Sequence, residues 1–70
     1  MSEDQLKDVI VQTETFKAFP LFKQSLILKR KNLTHLLDLL GQADRLGIGY
    51  LKQNPYLMRS DFELIKEILG

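Results

Sequence analysis

Along most of this chain apolar residues recur every three or four positions, the spacing that gathers them on one face of a helix. Leu6, Val9, Ile10, Thr13 and Phe16 follow it first, with Val11 and Ala18 off the face. Ser2 precedes them with Gln5 three residues on, the spacing of a capping box, and Glu3 and Asp4 suit the positive end of a helix dipole. The pattern predicts a first helix over residues 3–18. Pro20 lacks an amide hydrogen and disfavours helical geometry in the residue before it, so it breaks the pattern and opens a second helix, over 20–30. Apolar residues surround this second helix: Phe22 and Leu26 share a side, Leu21 and Leu28 another, and Ile27 takes a third. Such a helix is expected to be buried on more than one side.

A third helix, capped by Asn32 or Thr34, is predicted to run to Leu46. Leu33, Leu36, Leu37, Leu40 and Ala43 form its inner face, and Leu39 and Leu46 widen the apolar arc to roughly half the circumference. Gly41 leaves a gap in the side-chain cover that would let another helix approach closely. Gly47 reads as a left-handed stop, with Ile48 packing back on the last turn. Residues 48–59 form a connector with one or two short helical turns, and Asn54-Pro55 marks a turn or a helix start. Ser60-Asp61-Phe62-Glu63 has the spacing of a second capping box, and Phe62, Ile65, Ile68 and Leu69 point inward from the last helix. The class is therefore all-α: a single domain, 1–70, with three to four main helices in a compact bundle or orthogonal array joined by short loops.

Charge adds a feature that the net value of +1 conceals. Residues 1–14 carry four acids and one lysine, whereas residues 15–37 carry Lys17, Lys23, Lys29, Arg30 and Lys31 and no acid. Phe16, Phe19 and Phe22 interleave with the first of these cations, which admits a phosphate-tracking patch or a membrane-surface anchor. The plainer reading places the rings in the core and leaves Lys29, Arg30 and Lys31 at the negative end of the second helix. No apolar stretch approaches the ~20 residues of a membrane span. The acidic opening, Met1-Ser2-Glu3-Asp4, lacks the basic start and apolar run of a signal peptide. The absence of cysteine fits a reducing, cytoplasmic compartment.

Catalytic chemistry finds little purchase. His35 is the single histidine, and its neighbour on the helix face, Asp38, makes at best an incomplete metal ligand set. No catalytic residue, metal or cofactor is expected. Gly47-Ile48-Gly49 resembles the Gly-apolar-Gly turn of helix-hairpin-helix DNA-binding modules, with Lys52 nearby, but Pro55 interrupts the second helix such a hairpin requires. Ala43, Gly47 and Ile48 also have helix-turn-helix spacing, with the same proline inside the would-be recognition helix.

Fourteen of the seventy residues are leucine, more apolar surface than one small bundle should need. The expected function is a non-enzymatic interaction module, a regulator, adaptor or inhibitor, presenting an apolar helical face to a protein partner or to its own copy. The residues expected to carry it are Leu21, Ile27, Leu28, Leu39 and Leu46, the last two on a flank of the third helix close to Gly41. The alternative is a nucleic-acid-binding regulator using Lys17, Lys23, Lys29, Arg30 and Lys31.

Overall fold

In the computed structural model, which describes residues 1–70, the predicted first helix is two helices, α1 (Glu3–Gln12) and α2 (Glu14–Ala18). Thr13 divides them. Its backbone is extended, its hydroxyl donates to the Ile10 carbonyl at 2.7 Å, and the same oxygen accepts the Phe16 N–H at 3.2 Å. One buried side chain thus ends α1 and caps α2, and the chain turns without a loop. At the start of α1 the predicted capping box is present: Gln5 N–H donates to Ser2 Oγ at 3.2 Å and Ser2 N–H to Gln5 Oε1 at 2.9 Å. Glu67, far along the chain, accepts hydrogen bonds from the N–H and hydroxyl of Thr15 in the first turn of α2.

Pro20 is the cap of α3 (Leu21–Ile27), which stops short of the predicted end at Arg30. The long helix α4 (Arg30–Leu46) therefore begins earlier than Asn32 or Thr34 would have placed it, with Lys29 as a cap that offers no side-chain hydrogen bond. Asn32 and Thr34 lie inside α4 instead. The Asn32 amide donates to the Leu26 carbonyl at the end of α3, and the Thr34 hydroxyl to Glu3 at 2.6 Å. These bonds fasten the start of α4 to two other elements.

Gly47 ends α4 where expected, its N–H donating to the Ala43 carbonyl at 2.8 Å, but not in the left-handed helical conformation: φ +91° with ψ 152° is extended at positive φ, which glycine alone adopts easily. Half-buried Ile48 packs against the core and opens α5 (Ile48–Leu51), the short helical turn predicted for the connector. Asn54-Pro55 forms a turn, in which the Asn54 side chain accepts the Tyr56 N–H at 3.0 Å. The last helix, α6 (Arg59–Leu69), starts one residue before Ser60, with Met58 as its cap. The second capping box does not form; Ser60 sits within the first turn, its buried hydroxyl without a partner.

The architecture is all-α. α4 lies at the centre, with α1, α3, α5 and α6 packed against it and α2 against α1 and α6. The core joins Leu6 and Ile10 of α1, Phe16 of α2, Ile27 of α3, Leu51 of α5, Leu64 and Ile65 of α6, and the inner face of α4. A radius of gyration of 11.2 Å matches the ~11 Å of a compact chain this long. Leu64, which the periodicity did not single out, is fully buried, whereas Leu69, predicted inward, is exposed. The rotation of α6 is set by Leu64 and Ile65 together, so its C-terminal leucine swings toward solvent.

These caps make opposite predictions for two hydroxyls. Thr13→Ala should cost about 1–2 kcal/mol, since it removes the cap of α2 and leaves the Phe16 N–H without its partner, while the Ile10 carbonyl keeps the Thr13 N–H. Ser60→Ala should leave stability within about 0.5 kcal/mol of the parent or raise it slightly, because no bond is lost. Urea unfolding of the two variants checks both; a loss at Ser60 as large as at Thr13 would restore the capping box.

Candidate interaction site

The apolar arc of α4 is buried further round one side than the other. Leu33, Leu36, Leu40 and Ala43 are in the core, and so is Leu39, at 3% exposure. Leu46, seven residues on and in the same direction, is 57% exposed because it lies in the last turn, where the packed helices no longer cover α4. Leu39 and Leu46 therefore do not form one solvent-facing flank, and the pair expected to dock a partner is split between core and surface. Ile27 is likewise a core residue, at 4% exposure, and Leu28 is half-buried against the core. Of the five residues expected at an interface, only Leu21 and Leu46 are exposed.

The open side of α4 is the opposite one. There Leu37, only partly buried, and Gly41 and Asp44 face a cleft whose other wall is α6, with Ile68 and Leu69. Met1 also lines it. The cleft holds about 470 Å³ and leads on toward Ala43, Ile48 and Lys66. A Cβ built on Gly41 would meet nothing within 4 Å, so no helix of this fold makes the close approach expected there, and the position borders open space at the cleft. Asp44 and Lys66 stand exposed at this cleft and neither joins an ion pair. The expected adjacency of Gly41 to Leu39 and Leu46 fails on helix geometry, since at about 100° per residue Gly41 lies roughly 140–160° from both, on the side of Leu37 and Asp44.

A second apolar surface lies on α3. Ile27 faces the core, and the Gln24 side-chain amide donates to the carbonyls of Phe16 and Phe19 at 3.1 and 3.0 Å. These two residues fix the rotation of the helix, and the far side must then point outward. That side carries Leu21, Phe22 and Leu26, with Ser25 between them, all exposed. Leu21 is 80% and Phe22 70% exposed, values at which a large apolar side chain is almost wholly in water. The expectation of a helix buried on several sides fails here, and so does the placement of Phe22 in the core. Phe16 is buried and Phe19 half-buried, as expected. The apolar pattern did not single out Phe22 and Leu26, since a polar residue, Gln24, turns them outward by donating to carbonyls eight and five residues back.

The cations have different surroundings. Lys17 pairs with Glu14 at 3.6 Å, Arg30 Nε lies 3.8 Å from Glu3, and Lys23 Nζ sits 5.9 Å from the Phe19 ring centroid. Lys29 and Lys31 are exposed and in no ion pair. Because α3 ends early, Lys29, Arg30 and Lys31 do not close a long second helix. They start α4, at the positive end of its dipole, where the first turn carries no acid. With Phe16 buried and Phe19 half-buried, the interleaved rings offer no continuous stacking platform.

The remaining motifs resolve simply. α5 is only four residues long and the chain turns at Asn54-Pro55, so no recognition helix follows Gly47-Ile48-Gly49. Lys52 Nζ lies 5.7 Å from the Phe62 ring centroid. His35 and Asp38 are exposed and share no hydrogen bond or ion pair, and no three His, Cys, Asp or Glu side chains cluster closely enough to hold a metal ion. No helix is long and apolar enough to cross a membrane.

The split of the leucine pair is measurable. Leu39→Ala should cost about 2–5 kcal/mol, as a core truncation, while Leu46→Ala should stay within about 0.5 kcal/mol of the parent. Equal losses in urea unfolding would return both leucines to one face. Compared with protein families, characterised proteins and solved structures, the chain matches none of them.

Proposed function

We propose that this chain is a small non-enzymatic interaction module, a cytoplasmic regulator, adaptor or inhibitor, whose α4–α6 cleft receives an amphipathic helix of a protein partner. The observation that carries this reading is Gly41. A glycine in the middle of a seventeen-residue helix costs about 1 kcal/mol relative to alanine, and here it lines an apolar cleft that a long side chain at this position would enter. Helices dock in such clefts by placing apolar anchors along the floor and charges along the rims. Leu37, Leu40, Ile68 and Leu69 supply the floor and wall, and the unpaired Asp44 and Lys66 supply one charge of each sign. The lack of cysteine supports the compartment.

Nucleic-acid binding through Lys17, Lys23, Lys29, Arg30 and Lys31 is the second reading, and the consecutive exposure of Lys29, Arg30 and Lys31 favours it. It requires affinity that falls steeply with salt and is lost when those three are neutralised.

The cleft is tested by filling it. Gly41→Ala should stabilise the fold by about 0.5–1 kcal/mol, and Gly41→Leu should leave helicity intact while occupying the cleft. Light scattering across a concentration series, and affinity capture with parent and Gly41→Leu as paired baits, read the consequence. A protein, or a second copy, bound by the parent and lost with Gly41→Leu supports the cleft. The same partners bound by both baits would remove it.

A further inference from the structure

We propose that the outward face of α3 is a docking surface for an anionic lipid bilayer, with Leu21, Phe22 and Leu26 entering the interfacial layer and the cations around the α3–α4 joint facing the headgroups. The proposal is independent of the α4–α6 cleft, with which this face shares no residue. Its first ground is shape. Leu21 and Phe22 project from a short helix and line neither part of that cleft, and a fluid interface accepts protruding apolar side chains without a shaped counterpart. Its second ground is charge. Around this face the segment 15–37 has five cations and no acid, and the acids reaching it from elsewhere are Glu14 at Lys17, Glu67 at Thr15, Glu3 at Arg30 and Thr34, and Asp61 in the recess beneath Leu26. Lys29 and Lys31 remain uncompensated by any ion pair.

The third ground is that two of these charges stand against the fold's own preference. Arg30 and Lys31 occupy the first turn of the longest helix, where a cation opposes the dipole and an acid would favour it. A charge kept at an unfavourable position points to an external anion that it serves. The same charges argue against a second copy, since a two-fold contact across α3 would bring both sets of cations together. A shaped protein partner would need pockets for the two most exposed side chains of α3 and a surplus of acids around them; an anionic bilayer supplies both requirements without specific design.

The chain has no tryptophan, so Phe22→Trp introduces a single environment-sensitive probe at the site of contact. Vesicles of phosphatidylcholine with one fifth phosphatidylglycerol, against phosphatidylcholine alone, provide the two surfaces. The expected result is a blue shift of emission and co-sedimentation with the anionic vesicles only. In the parent chain, Leu21→Ser with Phe22→Ser should abolish binding at unchanged helicity. Lys29→Gln and Lys31→Gln should each weaken it roughly fivefold, and neither should lower the unfolding midpoint. No binding to anionic vesicles overturns the proposal. So does binding that survives the double serine variant or leaves the emission of Phe22→Trp unshifted, since contact would then be electrostatic without insertion. Loss of an acidic protein partner, or of DNA, on the same substitutions with no vesicle binding would assign the face to that partner instead.

Discussion

One helix has more apolar surface than any single neighbour can cover, and the fold is the arrangement that covers it. The inner face of α4 spans roughly half its circumference, against the ~100° stripe of a helix packed on one side. α1 and α6 run ten and eleven residues, and α2, α3 and α5 are shorter still. Helices below about 12–15 residues are marginal alone in water, so each of these persists through its contacts with the bundle. The fully buried side chains show the reciprocity: Leu6 and Ile10 from α1, Leu51 from α5, and Leu64 and Ile65 from α6. None has a core without α4, and α4 has no complete cover without all of them. The chain should consequently gain or lose its structure as one unit.

Periodicity and capping made much of this legible before any coordinates. The N-terminal capping box, the inner face of α4, the stop at Gly47 and the turn at Asn54-Pro55 depend on residues near one another in sequence, where local chemistry is decisive. Thr13 was read as a face residue, and it is buried, but its second role as a cap depends on the chain turning there. The start of α6 shows the opposite failure: Ser60 and Glu63 had the right spacing, yet the helix, with Leu64 and Ile65 in the core, is capped two residues earlier, at Met58. The candidate site was less legible than the fold. Which flank of α4 stays open is decided by where four other helices settle. What turns α3 outward is Gln24 reaching the carbonyls of a preceding helix. Neither leaves a periodic trace.

Places where local preference and tertiary structure disagree are informative because a fold has little free energy to spare. Three such places stand out: the unpartnered Ser60 hydroxyl, the cations in the first turn of α4, and the solvated face of α3. The first is isolated and small. The second and third meet at one joint, where α3 ends and α4 begins, and the Asn32 bond to the Leu26 carbonyl holds that joint in place. An unfavourable charge placement next to an unfavourable apolar exposure is hard to assign to packing, since relieving either would require no change in the core. Glu3 relieves part of the charge cost through Arg30 and Thr34, which leaves Lys29 and Lys31 free to act outward.

The two exposed apolar surfaces differ in the kind of contact they can make. The cleft beside Gly41 is concave and carries one charge of each sign, so its occupant must match it in shape and gains little from long-range attraction. The α3 face is convex and ringed by one sign of charge, so its occupant is drawn from a distance and need not be shaped. Salt should weaken contacts at the second far more than at the first. Both border α4, a single unbroken helix without a proline, so they are held in fixed relation. If both are used as proposed, a helix seated in the cleft is carried with its bearer to the surface that α3 meets, with no conformational change required. A seventy-residue chain has room for such a rigid coupling because one long helix serves as both core and spacer.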